Sequence, residues 1–333
     1  MPAAVTVAAV VVTHDRLRQL RLTLRRLLAE EGLDRVLVVD NASRDETRAF
    51  LAGLDDARLS VLRLEENRGG AGGFEAGLRE AARLCDPDWC LLLDDDARPL
   101  PGAIVAFRQA VAELDPDARG PGAVGALAAA VFTPSGEPCE MNRPSRNPFW
   151  HAGPFLRTIL RGGRKGFHLP DAALDPAAAP AEIDVASFVG FFVSRAARQD
   201  AGLPDGGVFL YGDDVLYSLR LRRAGFRMRF LPQVRFEHDC ATLGPGAAYR
   251  PLWKVYYHCR NGVGIARAAA GPMVFPAALL WYLVLWSRRA RHYAPAERTV
   301  YRRLMWEGVR DGLLRRQGRN DRIHALADRL GQR

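Results

Sequence analysis

Along residues 1–110 the apolar positions switch repeatedly between the period of a strand and that of a helix. Residues 5–12 form a continuous run rich in β-branched residues, the pattern of a strand buried on both faces. Leu17, Leu20, Leu24, Leu27 and Leu28 then fall at helical spacing, with arginines on the opposite side. Residues 35–39 predict a second strand. Ser43, Arg44, Asp45 and Glu46 read as a capping box opening a second helix. Residues 59–64 predict a third strand, 69–84 a helix entered through glycines, and 89–93 a fourth strand running straight into Asp94, Asp95 and Asp96. Strands alternating with helices imply a parallel, doubly wound α/β sheet. Ligands of such sheets bind beyond the carboxyl ends of the strands. Thr13 and Arg16, Asp40 with Asn41, and the three aspartates all follow strand ends, so the polar residues of this half converge on one edge.

The second half is less regular. Residues 134–182 are rich in Pro, Gly and Ala without sustained periodicity and predict a long loop or excursion. Order returns at 183–194, a helix is expected at 213–224 closed by Gly225, and a strand at 226–231. Residues 268–286 hold no charge over 19 positions, which reaches the length of a membrane-spanning helix, although Gly271, Pro272 and Pro276 interrupt its first half. Arg267 before it, Arg288, Arg289 and Arg291 after it, and Trp281, Tyr282 and Trp286 within it suit the headgroup level of a bilayer. Peripheral association with an anionic membrane surface is expected, with a span and packing against a core or partner as the other readings.

Composition narrows the classes. Hydrophobic residues make up 48% and charged residues 26%, which excludes a disordered, collagen-like or multi-span chain. Five cysteines without a C-x-x-C pair exclude a disulfide scaffold and a zinc site, and suit a reducing cytoplasm. Residues 1–12 lack a basic n-region and read as a strand rather than a signal peptide. The net charge of +9 is uneven: 13 arginines against 5 acidic residues in 287–333 give that region +8 and leave the rest at +1. A basic tail that also carries Trp and Leu, with no RNA-recognition or zinc signature, is not a nucleic-acid footprint.

The chemistry centres on acids. In an extended chain Asp94 and Asp96 point one way and Asp95 the other. Two carboxylates on one side repel unless a cation lies between them, and a hard divalent ion, Mg²⁺ or Mn²⁺, suits oxygen ligands; a solvated polar turn is the alternative. The stretch Asn67, Arg68, Gly69, Gly70, Ala71, Gly72, Gly73 is not a dinucleotide fingerprint, because Glu75 stands where the third glycine belongs, and no P-loop exists. It reads as a loop that lets backbone approach a ligand before a helix N-terminus. Asp213 and Asp214 open a helix, as caps or with one as a general base. His238 is structural or a metal ligand.

Taken in order from residue 5 to 239, these motifs resemble family 2 glycosyltransferases of the GT-A fold, and the glycine-rich loop with the acidic triplet resembles the subgroup of galactofuranosyl- and rhamnosyltransferases. The resemblance implies a GT-A type doubly wound mixed sheet over 1–240, with a helical, apolar-then-basic region over 241–333. It implies inverting transfer of a sugar from a UDP or dTDP donor to a glycan or lipid-linked acceptor in cell-envelope synthesis, at the cytoplasmic face of the membrane. Asp94, Asp96 and His238 would hold the Mn²⁺ or Mg²⁺, and Asp214 would be the base. Asp213, Phe191, Phe192 and Tyr211 would face the acceptor, with the two phenylalanines standing where galactofuranosyltransferases carry a tryptophan pair. Thr13, Arg16, Asp40, Asn67, Arg68, Gly70 and Asp95 would line the donor site, Asp40 at the nucleobase. The segment 249–261 would be a lid, an acceptor contact or a docking helix. Two rival readings are a protein binding nucleic acid or membrane through its basic tail, and a nucleotidyltransferase on a similar sheet. The second would favour lysines over a triphosphate, and residues 1–150 contain none.

Overall fold

The computed structural model describes residues 5–115, 118–161, 163–239, 243–244 and 248–331. The chain folds into two compact units. One runs through Asn67, resumes at Gly73–Pro204 and again at Tyr217–Asp239; the other takes Arg68–Gly72, Asp205–Leu216 and the chain after Asp239. The division expected at 240 is thus crossed twice, and the segment bearing Asp213 and Asp214 belongs with the C-terminal helices.

The first unit is built on β1 (Val7–Thr13), α1 (Leu17–Ala29), β2 (Arg35–Asp40), α2 (Thr47–Ala52), β3 (Leu59–Arg63), α3 (Gly69–Leu84) and β4 (Trp89–Asp94). The chain continues as β5 (Ala97–Pro99), α4 (Ala103–Ala112), β6 (Val124–Phe132), α5 (Ala152–Arg161), β7 (Ala181–Ile183), β8 (Phe191–Ser194), α6 (Arg195–Asp200), α7 (Asp213–Arg223) and β9 (Arg227–His238). The sheet order is β3-β2-β1-β4-β8-β6-β9-β5, with β7 also on β9. The first four strands are parallel, and β8 turns the sheet mixed by pairing antiparallel to β4 and β6. All seven residues of β1 are buried, and each fully buried valine there contributes about 1.5–3 kcal/mol.

Three local expectations change. Helix α2 starts at Thr47 rather than after Ser43, because the Ser43 hydroxyl accepts from the Asp15 backbone N–H (3.1 Å) and Asp45 Oδ1 takes the Thr47 N–H instead (3.0 Å). The helix expected at 69–84 forms, but the glycine stretch read as a loop before it is its first turns: a Cβ on Gly73 would stand 2.5 Å from Val12 Cγ1, and one on Gly77 2.8 Å from Val39 Cγ2. Those two glycines serve close packing of helix on sheet. Finally, 134–182 contains α5, β7 and short 3-10 turns at Glu140–Asn142, Arg164–Gly166 and Asp171–Leu174.

The second unit holds β10 (Leu243–Gly244), β11 (Ala248–Tyr249), α8 (Lys254–Arg289), α9 (Pro295–Leu313) and α10 (Asp321–Gly331). Gly271 (φ 71°, ψ 172°) breaks α8 just before Pro272. Gly308 and Gly312 bring α9 onto α8: a Cβ on Gly312 would stand 2.5 Å from the Arg260 carbonyl oxygen. Most of the basic C-terminal residues therefore belong to folded helices, not to a loose tail. By length and composition, Lys254–His292 is long and apolar enough to cross a bilayer; its first half is buried within the protein, from Val255 to Ala266, whereas little of its most apolar stretch is.

Candidate active site

Parallel pairing sets the acidic edge of the first unit. Thr13 lies opposite Asp40 on β2, and Val12 opposite Asp94 on β4, so three strands end at one level. Beyond Asp94 the chain turns at Asp95 and Asp96 rather than staying extended, then enters β5. β5 pairs antiparallel with the end of β9, Ala97 facing His238, and this register brings His238 Nε2 to 3.2 Å from Asp96 Oδ1. One ligand atom from each of Asp94, Asp96 and His238 lies within 4.8 Å of the others. Strand pairing and a turn, not simple alternation, produce the convergence.

The surroundings fix each group. Thr13 Oγ1 donates to Asp95 Oδ2 (2.8 Å), and Thr23 Oγ1 donates to the Asp95 carbonyl (2.6 Å). Arg16 bridges Asp95 (Nη1, 3.0 Å) and Asp96 (Nη2, 2.7 Å). Burial and the adjacent Asp96 carboxylate raise Asp94 to about 7. Burial raises Asp95 to about 7, against the pull of Arg16. Burial acts on Asp96 too, but His238 and Arg16 outweigh it and hold that carboxyl below its usual range. His238 Nδ1 lies 2.7 Å from Asn142 Oδ1, whose amide is oriented by its own donation to Ser187 Oγ (2.8 Å). With Nδ1–H given to Asn142, a neutral imidazole turns its Nε2 lone pair toward the Asp96 carboxylate. Two lone-pair donors at that distance need a proton or a cation between them. An oxygen, oxygen, nitrogen donor set of this kind fits a hard divalent ion, and a histidine anchored through its other nitrogen is how metal-ligating imidazoles are held.

Beside the triplet, Asp40 is fully buried, taking Arg63 Nη1 (2.6 Å) on one oxygen and the Ser43 N–H (2.8 Å) on the other. Asn67 Oδ1 accepts from Asn41 Nδ2 (3.2 Å).

In the second unit, Asp213 and Asp214 open α7 after Tyr211 and Gly212, both at positive φ (67° and 83°). Asp214 Oδ1 accepts from the Val215 N–H (2.7 Å). Asn261 holds this turn: its Nδ2 lies 3.1, 2.8 and 2.9 Å from the carbonyls of Val208, Leu210 and Tyr211. Arg260 donates to the Val208 carbonyl (2.7 Å), to Asn261 Oδ1 (2.9 Å) and to the Gly318 carbonyl (2.6 Å). Arg68 and Gly70 sit on the short segment of this unit that docks on Phe209, through Ala71 N–H to its carbonyl (3.2 Å).

Residues 8–127 match the model of Glycosyl transferase family 2. These residues carry a family 2 glycosyltransferase domain. The chain is 28% identical over 245 residues to "Galactofuranosyltransferase GlfT1" of Mycolicibacterium smegmatis, a match spanning 71% of this chain and 72% of that protein. Among solved structures it is similar to S. aureus TarS 1-349 in complex with UDP-GlcNAc (TM-score 0.54, 13% identity, 92% of this chain and 90% of that one). It is also similar to the mannosyltransferase PcManGT of Pyrobaculum calidifontis in complex with GDP-Man and Mn²⁺ (TM-score 0.51, 16% identity, 93% and 86%). At those identities the structures show the fold, a GT-A mixed α/β sheet.

Within this glycosyltransferase, Phe191 and Phe192 correct the acceptor assignment. Both are wholly buried on β8; Phe192 stacks on Phe107 (3.8 Å between ring centroids, 11° between planes), and Phe191 packs on Phe188 and Tyr217. They are core, with no face for a sugar. Tyr211 packs 5.6 Å from Tyr249, and burial raises its hydroxyl well above the usual range. The segment 249–261 is the entry to α8, where Tyr256 Oη donates to Asp311 (2.8 Å) and Tyr257 Oη accepts from the Asn320 N–H (2.9 Å). The sequence reading left out Arg63 and Asn142. Neither lies in a motif: the β2–β3 register sets Arg63 opposite Asp40, and Asn142 reaches His238 from the 3-10 turn at Glu140–Asn142.

Proposed function

We propose that this glycosyltransferase uses Mn²⁺ or Mg²⁺ to move a sugar, with inversion, from a UDP or dTDP donor to a hydroxyl of a glycan or lipid-linked acceptor in cell-envelope synthesis. The observation that carries this reading is the cluster of Asp94, Asp96 and His238, one ligand atom from each within 4.8 Å of the others. When bound, the cation neutralises the diphosphate as charge grows on the leaving group. Arg16 holds Asp95 and Asp96 in place for it, and Thr13 fixes Asp95 from the other side. Asp40 keeps acceptor capacity for a pyrimidine N–H beside its bonds to Arg63 and Ser43. Asn67, Arg68 and Gly70 complete the donor side. Asp214 takes the proton of the acceptor hydroxyl as the new bond forms, with Asp213 and Tyr211 as acceptor neighbours. The galactofuranosyltransferase relative supports a furanose-type donor. Exposed Leu280 and Trp281 on α8 support peripheral docking at the cytoplasmic face of the membrane.

Thermal unfolding with UDP, dTDP and GDP, each with and without Mn²⁺, tests the donor half. A bound ligand at a hundredfold excess over its dissociation constant adds about 2.7 kcal/mol. A Mn²⁺-dependent shift with UDP or dTDP, abolished in Asp96→Ala, is the expected result. A shift with GDP alone, or one indifferent to Mn²⁺, overturns the reading.

A further inference from the structure

Helix α5 turns its apolar side to solvent. Pro154 is buried and Thr158 half-buried, and Gly166 of the following 3-10 turn packs on the Thr158 backbone, so these two mark the inward face. At about 100° per residue, Phe155, Ile159, Leu156 and Leu160 occupy an arc of about 140° on the opposite side. Their exposures are 40% for Phe155, 57% for Leu156, 59% for Ile159 and 82% for Leu160. Clusters of large apolar side chains this open mark contact surfaces. The charge around them is one-sided. Between Glu140 and Asp171 the chain carries six basic residues and no acidic one. Arg143 is held by Glu140 and Asp171 themselves; of the other five, four (Arg157, Arg161, Arg164 and Lys165) lie in or just after the helix in sequence, and Arg157 and Lys165 are exposed.

We infer that α5 is an interfacial helix that lays Phe155, Leu156, Ile159 and Leu160 into the headgroup–acyl boundary of an anionic lipid surface. An in-plane amphipathic helix flanked by Arg and Lys is the form such contacts take, each nearby basic residue adding about 1 kcal/mol. A protein partner fits less well. A ten-residue helix offers a face of about 15 by 10 Å, far below the ~800 Å² per side of a stable protein interface. The contact is separate from that of α8 and does not depend on which donor is used.

Hydrogen exchange of the full chain, followed at residues 152–161, tests it with phosphatidylcholine vesicles and with vesicles containing about 30% phosphatidylglycerol. Anionic vesicles should slow exchange in this segment about tenfold or more, while the buried amides of β1 stay unchanged. The double variant Leu156→Ser/Leu160→Ser, both at exposed positions, should keep the wild-type melting temperature and lose that protection. Leu280→Glu/Trp281→Glu should retain it. The inference is overturned if the chain does not bind anionic vesicles, or binds them with 152–161 unprotected. It is equally overturned if neutral vesicles protect as well as anionic ones, or if protection appears without lipid and grows with protein concentration, which would identify a second copy as the occupant.

Discussion

The acidic triplet after β4 and the acidic pair opening α7 are held by opposite kinds of force. Asp95 and Asp96 are fixed through charge, by Arg16 and His238, inside an edge where burial and the neighbouring carboxylates raise Asp94 and Asp95 to about 7. The turn that presents Asp213 and Asp214 is fixed through backbone carbonyls, with Asn261 and Arg260 donating to Val208, Leu210 and Tyr211. The first arrangement crowds three carboxyl groups that a bound cation would relieve. The second leaves geometry in place whatever the charge of the two aspartates. A site that binds a charged diphosphate and a site that positions a neutral hydroxyl would differ in this way.

Breaking the second arrangement at the reacting group should have the largest effect. Asp214→Asn removes the proposed base and should lower kcat about 10³-fold, with the Mn²⁺-dependent thermal shift by nucleotide intact; a shift lost along with activity would mean that Asp214 serves the donor. Asp96→Asn should cost about 10²–10³-fold, comparable to the loss of one preorganised electrostatic contact. It should also erase the Mn²⁺ dependence of nucleotide binding, which separates it from Asp214→Asn. Asn261→Ala should act through geometry alone. It leaves buried carbonyls without their donor, costs about 1–3 kcal/mol of stability, and should lower kcat about tenfold while nucleotide affinity is unchanged. If melting falls without any change in kcat, Asn261 supports the fold and not the turn's function.

Much of the first unit was legible because its signals are local. The continuous apolar runs of β1 and β4 and the leucine spacing of α1 are patterns that burial alone enforces, and α3 begins and ends where the glycine entry and Leu84 place it. The acidic edge was legible as residue types but not as geometry. His238 reaches Asp96 through the register of β5 on β9, a pairing no sequence window contains. The Ser43 capping box failed for the same reason, since Asp15, distant in sequence, takes its hydroxyl. Helix α5 escaped because Gly and Pro crowd its ends and its apolar face points outward, so the usual inference from apolar spacing to core has no core to find. Arg260 and Asn261 were visible only as members of a polar-aromatic stretch; their role depends on carbonyls 50 residues upstream.

The smallest expected effect bears on Phe192, where sequence and structure disagree most directly. The chain position suggests an acceptor contact, yet the ring is wholly buried, stacked on Phe107 and edge-on to Phe236. Phe192→Leu keeps most of the volume and forfeits the stacking, so it should destabilise by about 1–1.5 kcal/mol. Neither kcat nor the KM for any acceptor should change, because a side chain sealed between β4 and β6 reaches the acceptor only by deforming the sheet. A raised acceptor KM with unchanged melting would put a sugar-binding face back on β8. The unequal treatment of the two regions would then have to be redrawn, with the sheet as well as the α7 turn reading the acceptor.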